Sequence, residues 1–344
     1  SEHCGDCVAP CQQACPAEID IQGFIAHIGN GQNLKAAALI KEKLPLPSVC
    51  GRVCPRFCET ECRRNILDGA VNICALKRFA GDYDLKALTS YLPQVKGDSC
   101  FSVAVVGGGP AGLTAAYYLA LSGHRVTLFD AGPELGGMLR YGIPEYRLPT
   151  LLLDQEIKLI TDLCQEVRLG EVFGRDYTLA DLKNGYDAVF LGIGCQSAQG
   201  LGLANEEMPG ILKGIDFLRM VSENRAPQLG RRVAVVGGGN TAMDAARTAL
   251  RLGAEEVVVI YRRSKEEMPA SPIEILEAEE EGVEFRFLTN PTLCLAQDGR
   301  LAALECICME LGEPDSSNRR RPVAIWGSEY QLAFDTVILA IGQV

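Results

Sequence analysis

Residues 101–130, FSVAVVGGGPAGLTAAYYLALSGHRVTLFD, decide how the rest of the chain is read. The β-branched apolar run Val103 to Val106 predicts a strand, Gly107-Gly108-Gly109-Pro110-Ala111-Gly112 a tight turn, and Leu113, Ala116 and Ala120 at helical spacing a helix. In that setting Gly107 permits the turn, Gly109 lets the backbone approach a pyrophosphate, and Gly112 lets the helix pack close to the strand. The phosphates would sit on the positive helix N-terminus, which opens with Pro110 and Ala111. A second apolar strand, Arg125 to Phe129, ends in Asp130, whose carboxylate is placed to accept hydrogen bonds from a ribose diol. Glycine loops are common, and a plain buried βαβ unit is the alternative; strand, helix and terminal acid in register favour a dinucleotide site.

The same pattern returns at Arg232 in RVAVVGGGNTAMDAARTALRLGAEEVVVIYRR. Gly237 and Gly239 repeat the turn, Asn240 and Thr241 open the helix, and Ala242 holds the third place, where alanine still permits close packing. Two such units predict two nucleotides. Here the second strand ends not in an acid but in Tyr261-Arg262-Arg263, and guanidinium groups suit a 2'-phosphate, which favours NADP(H) over NAD(H). The bland alternative is a solvated strand edge.

With 344 residues, 47% hydrophobic and 22% charged, the chain has room for two or three globular domains. A net charge of -11 excludes a nucleic-acid binder, because no basic surplus exists to neutralise phosphates. No apolar run reaches membrane-spanning length, and SEHCGDC has no signal-peptide h-region, so a cytoplasmic protein is expected. The three histidines, His3, His27 and His124, form no nucleophile or metal pattern.

Fifteen cysteines are the compositional outlier, and nine of them lie between Cys4 and Cys74. The run Cys4-x2-Cys7-x3-Cys11-x3-Cys15-Pro16 is similar to the bacterial ferredoxin run with one extra residue, and in that run the cysteine before proline serves a second cluster. Disulfides fit poorly with an enzyme pattern lacking a secretory signal, and zinc prefers two separated pairs. Asp20 is placed to cap a helix with the stripe Ile21, Phe24, Ile25 and Ile28, and Leu34 to Leu44 predicts another. Cys50, Cys54, Cys58 and Cys62 then follow four apart, with Pro55 predicting a turn inside the run.

CGDCVAPCQQACP, LPLPSVCGRVCPRFCETEC and VNICALKRFAGDY in that order closely resemble the family of the small (beta) subunit of glutamate synthase. They are similar also to the N-terminal part of dihydropyrimidine dehydrogenase and to the large subunit of NADH-dependent ferredoxin:NADP oxidoreductase. The resemblance implies an α-helical domain with two [4Fe-4S] clusters bound in crossed fashion. Carried over by position, Cys4, Cys7, Cys11 and Cys62 would hold one cluster, and Cys15, Cys54 and Cys58 three irons of the other. Cys50 is not a ligand in that pattern. Several members carry a Gln or Glu ligand at the position of Lys77, and a protonated lysine cannot ligate iron. Cys74, one helical turn earlier, is the expected replacement, against the alternative of a buried hydrophobe.

GGGPAGLTAAYYLALSGHRVTLFDA with GGMLRYGIPEYRLP resembles the FAD-binding half of the glutathione-reductase-like flavoproteins. The resemblance implies that Gly136-Gly137 and Tyr141-Gly142-Ile143-Pro144 lie near the flavin, although a plain loop fits the same residues. Leu153, Ile157, Ile160, Cys164 and Val167 predict one core helix, and residues 186–194, YDAVFLGIG, a buried strand where the family crosses between nucleotide domains. Residues 266–284 match the family's loop and acidic helix, with the acids on a wet face. Residues 334–344, FDTVILAIGQV, match a return strand into the FAD domain and carry Gly342 as a cofactor contact. In relatives a Gly-Asp segment that touches the flavin follows, so an incomplete chain that holds FAD weakly is expected.

The expected fold class is α/β: an N-terminal α-helical double [4Fe-4S] domain (1–97), a first, FAD-binding Rossmann-like domain (98–200), an NAD(P)H-binding one (201–332), and a return strand (333–344). The expected function is electron transfer between NADPH, FAD, two [4Fe-4S] clusters and a larger partner subunit, with no acid-base residue strictly required. Glutamate synthase, an electron-bifurcating transhydrogenase, and a hydrogenase or formate dehydrogenase complex could each use such a subunit. A non-catalytic iron-sulfur relay or assembly subunit is the reading from another class.

Overall fold

The computed structural model describes residues 8–316 and 318–343. Cys4 and Cys7 therefore lie outside the described residues. The chain forms two compact units, Ser1–Arg140 with Glu145–Gly194, and Tyr141–Pro144 with Cys195–Val344.

The first unit begins with six helices: α1 (Pro10–Gln13), α2 (Ile21–Gly29), α3 (Asn33–Lys41), α4 (Pro47–Val53), α5 (Phe57–Thr60) and α6 (Ile73–Leu85). The Asp20 side chain accepts the Gly23 N–H at 2.8 Å and starts α2, as the stripe predicts. Pro55 divides the cysteine ladder: Cys54 turns extended and Arg56 goes left-handed before α5 begins. Ile21, Phe24, Ile40, Ile73 and Ala80 form the core of this domain. Lys41 is buried against Asp84 and donates to the Tyr91 carbonyl at 2.9 Å, so its charge is paired inside that core.

A four-stranded parallel sheet follows, with α7 (Pro110–Leu121), α8 (Met138–Tyr141), α9 (Thr150–Thr161) and α10 (Leu179–Gly185) between its strands. Its order is β3 (Glu166–Leu169), β2 (Arg125–Asp130), β1 (Ser102–Val106), β4 (Ala188–Leu191). The core helix expected through Val167 stops at Thr161, because the Gln165 N–H bonds the Val126 carbonyl at 2.9 Å and leads Val167 into β3. The buried strand expected at 186–194 is an edge strand. Phe190, Leu191 and Ile193 are 39%, 47% and 52% exposed.

In the second unit a five-stranded parallel sheet runs β5 (Ile211–Lys213), β13 (Thr336–Leu339), β6 (Arg232–Val236), β7 (Glu256–Ile260), β8 (Glu284–Arg286). Helices α11 (Gly214–Ser222), α12 (Asn240–Arg251) and α13 (Pro272–Glu280) share one core with it, built on Val233, Val235, Val257 and Val259. The alternate residues Ala234, Val236, Val258 and Ile260 pack with an antiparallel sheet of β9 (Thr289–Gln297), β10 (Arg300–Pro314), β11 (Arg320–Ala324) and β12 (Tyr330–Ala333). The period of two thus buries both faces, which explains the unbroken valine runs.

Two expectations are corrected here. The strand at 334–344 does not return to the first sheet: β13 pairs on both edges inside the second, and all four of its residues are buried. It closes its sheet as β4 closes the first, and DAVFLGIG (187–194) repeats as DTVILAIG (335–342). The acidic helix α13 is also more than a wet face. Glu274, Glu277 and Glu281 surround the buried Arg247 guanidinium at 3.1, 2.6 and 2.7 Å. Among the described residues no helix is long and apolar enough to cross a membrane.

Candidate functional site

Five of the seven described cysteines of the helical domain line two cavities. Cys11, at the start of α1, and Cys62, just after α5, line a cavity of about 190 Å³ with Ile21, Ile25 and Ile73. Burial pushes the Cys11 thiol up, against backbone hydrogen bonds and with Cys62 adding to the rise. Cys15, Cys54 and Cys58 line the second cavity with Phe24, Phe57 and Lys77. Cys74, on α6, is buried and shares hydrogen bonds with Cys54 and Cys58. Those bonds raise the Cys54 thiol and lower that of Cys58. Cys50 lines neither cavity, and burial pushes its thiol up to about 12.

These donors are of the type that iron-sulfur clusters take. Soft thiols from separated segments meet in apolar surroundings, and the Arg56 N–H points at Cys54 Sγ at 3.5 Å. Glu59 accepts the Cys74 N–H at 2.7 Å, which ties the helix of Cys58 to the first turn of α6. Lys77 stands one turn beyond Cys74. Burial alone would lower its ammonium, but the neighbouring Cys54, Cys74, Cys50 and Cys58 hold it above its ordinary value.

In the first nucleotide unit the turn is as tight as the glycines require. Gly107 has φ of 104°, and a Cβ there would lie 2.3 Å from the Gly192 carbonyl oxygen. A Cβ on Gly112 would lie 1.6 Å from the Gly107 carbonyl oxygen. Gly137, with φ of 52°, rests against Gly109, and the Gly136 N–H bonds the Gly108 carbonyl at 2.8 Å. The second glycine pair therefore sits on the first, beside the N-terminus of α7, which opens with Pro110 and Ala111. Asp130 braces the same turn, accepting the Gly108 N–H at 2.6 Å and the Gly132 N–H at 2.7 Å with its two oxygens. Tyr141, Gly142 and Ile143 belong to the second unit, where the Arg219 guanidinium lies 4.8 Å from the Tyr141 ring centroid.

The second glycine turn opens onto a cavity of about 480 Å³ lined by Gly237, Gly239, Thr241, Arg262, Pro269 and Gly342, among others. Gly239 has open space where a Cβ would stand, at the N-cap of α12. The Asn240 side chain accepts the Ser271 N–H at 2.8 Å, so it shapes the rim. The arginine pair divides. Arg263 is buried, donating to Asp315 at 2.6 Å and to the Arg320 carbonyl at 2.8 Å, while Arg262 is exposed on the cavity and makes no ion pair among the described residues.

Residues 101–344 match the family model for pyridine nucleotide-disulphide oxidoreductases, and residues 1–88 match that for dihydropyrimidine dehydrogenase domain II, 4Fe-4S cluster. The chain belongs to the pyridine nucleotide-disulphide oxidoreductase family. Its N-terminal segment is a 4Fe-4S domain. Within the family it is 36% identical over 359 residues to the NADPH glutamate synthase small chain of Escherichia coli, covering 99% of this chain and 76% of that one, and it is a member of that small-chain group. It is 47% identical over 341 residues to the NADPH-Fe(3+) oxidoreductase subunit beta of Geobacter sulfurreducens, covering 97% of this chain and 51% of that one. The chain thus spans about half the length of the curated relatives it matches first. Among solved structures, FprA of Mycobacterium tuberculosis in complex with NADPH superposes with a TM-score of 0.63, at 21% identity over 71% of each chain, a likeness of fold. The fold class, the oxidoreductase class and the cofactor set read from the sequence agree with these families.

Sequence reasoning missed Glu156. This fully buried carboxylate on α9 accepts the Ser48 and Val49 N–H groups at 2.8 and 2.9 Å, clamping the N-terminus of α4, whose other end carries Cys54. Burial pushes it up to about 7 against those two hydrogen bonds. Asp187 and Asp335, one before each repeated strand, were the available signal for the true place of β13.

Proposed function

We propose that this chain is an electron-transfer oxidoreductase module that takes electrons from NADPH and delivers them, one at a time, to a larger partner subunit. The observation that carries the proposal is the union of two cysteine cradles and two glycine turns in one chain. When bound, a flavin and a nicotinamide supply hydride chemistry and the clusters supply single-electron transfer. The chain's own residues bind and position. We assign Cys4, Cys7, Cys11 and Cys62 to one cluster and Cys15, Cys54, Cys58 and Cys74 to the other. Gly107, Gly109, Gly112, Pro110, Ala111, Asp130 and Gly137 would hold FAD, with Tyr141, Gly142 and Ile143 at its border. Gly237, Gly239, Asn240, Thr241, Arg262 and Gly342 would hold NADP(H), with Arg263 bracing Arg262.

The test is anaerobic reconstitution of the full chain followed by titration with NADPH. About eight irons per chain and a flavin spectrum that bleaches are expected, and Cys74→Ser should lose about half of the iron. A chain that binds iron but shows no bleaching flavin would leave only a relay. Iron content unchanged in Cys74→Ser would remove that residue from the ligand set.

A further inference from the structure

The helical domain buries two lysines, and they are buried differently. Lys41 faces a carboxylate, Asp84, and a carbonyl. Lys77 is 6% exposed, and among the described residues no carboxylate pairs with it. It faces sulfur instead, lining a cavity with Cys15, Cys54 and Cys58, one helical turn from Cys74. A buried ammonium without a counter-charge is costly, and among the described residues no carboxylate lines this cavity to supply one. Thiolates can. A cluster held by four thiolates carries net negative charge, which grows by one when an electron enters, with no bond or proton changing hands.

We propose that Lys77 is the buried counter-charge of the cluster held by Cys15, Cys54, Cys58 and Cys74, and that it raises the reduction potential of that cluster above what four thiolates alone would set. A fixed positive charge in a poorly screened cavity favours the more negative, reduced state, and its N–H groups can donate to the sulfurs, a second influence of the same sign. The proposal rests on the ligand set assigned above. A residue that cannot ligate iron leaves the fourth iron to Cys74 and turns its own charge toward the sulfurs.

The test compares the wild type with Lys77→Met and Lys77→Arg in the full, reconstituted chain. Each is titrated anaerobically with dithionite and followed by electron paramagnetic resonance, with the relevant signal identified as the one lost in Cys74→Ser. Lys77→Met is expected to make reduction at least tenfold less favourable, about 59 mV lower for a one-electron couple, while Lys77→Arg stays near the wild type. Iron loss in Lys77→Met that Lys77→Arg prevents would support the same role, since the neutral side chain leaves the thiolate charge uncompensated. An unchanged midpoint in Lys77→Met, or iron lost from both variants, would overturn it. If Cys74→Ser keeps all its iron, the ligand assignment fails separately, and the charge role is still read from the shift of either midpoint.

Discussion

The two nucleotide units are built on one frame and fastened differently. In each, an aspartate ahead of the closing strand accepts the N–H of the residue that opens the first strand: Asp187 from Ser102 at 2.7 Å, and Asp335 from Arg232 at 2.9 Å. In each, a Cβ on the first turn glycine would lie 2.3 Å from a carbonyl after the closing strand, that of Gly192 or of Ala340. The units part at the third place of the turn (Gly112 against Ala242), at the end of the second strand (Asp130 against Tyr261-Arg262-Arg263), and on the helix that follows it (Glu156 on α9 against the glutamates of α13). The frame fixes where a dinucleotide can lie. The side chains at the points of difference select which one, and what the unit fastens itself to.

The largest effect expected from this comparison is at the third place. A methyl group on Gly112 meets backbone at 1.6 Å, and the Gly107 carbonyl cannot move without opening the turn that Asp130 braces. Gly112→Ala should therefore cost more than about 4 kcal/mol and unfold the first unit. At the equivalent place the second unit already carries a Cβ, so Ala242→Gly should cost only about 0.5 to 1 kcal/mol of helix stability. Limited proteolysis with mass mapping separates the outcomes. Cleavage of Gly112→Ala confined to the first unit is expected, and equal resistance of the two variants would break the equivalence of the turns.

What was legible follows from where the constraints lie. The glycine turns, the cysteine runs and the Asp20 cap could be read because each needs a particular residue type within a few positions. The same local logic failed for partners far apart in the chain. Glu156 reaches Val49 across 107 positions, and Arg263 reaches Asp315 across 52, so neither pairing has a signature in its own segment. The β13 assignment failed for another reason. Its apolar run suits any buried strand, and only its repetition of 187–194, with the aspartate included, says that it closes its own sheet.

The helices after the second strands should carry opposite pH dependences. Glu156 is raised to about 7 from 4.5, so the folded chain holds its proton more tightly than the unfolded one. Its stabilisation is full below about pH 4.5 and is lost as the pH rises toward 7, on the order of 3 kcal/mol. Glu281 runs the other way. Partial burial would raise it, but hydrogen bonds from Arg251 and Arg247 overcome that and hold it low, so its contribution is present above 4.5 and lost as the pH falls. Urea unfolding between pH 5 and 7.5 is expected to lose its downward slope in Glu156→Gln, whereas Glu281→Gln should be weakened evenly across that range and approach the wild type only as the pH falls below 4.5. A wild-type slope retained in Glu156→Gln would mean that this carboxylate is ionised throughout.

The smallest effect sharpens the comparison at the end of the second strand. Asp130 offers oxygens that suit ribose hydroxyls and would repel a 2'-phosphate, whereas Arg262 offers an exposed guanidinium on the cavity of the second unit. Arg263 sits beside it in sequence, but its nitrogens are committed to Asp315 and the Arg320 carbonyl. One charge-assisted contact to a phosphate is worth about 1.5 kcal/mol or more, close to tenfold in affinity. Arg262→Ala should therefore reduce the preference for NADPH over NADH by about tenfold, read as the ratio of flavin reduction rates at low nucleotide concentration. Arg263→Ala should instead lower the unfolding midpoint of the second unit, because it removes the ion pair to Asp315 and the bond to the Arg320 carbonyl, while leaving much of that preference standing. If Arg263→Ala abolishes the preference and Arg262→Ala does not, the guanidinium that reads the phosphate is the buried one, and the hairpin carrying Asp315 must release it when nucleotide binds.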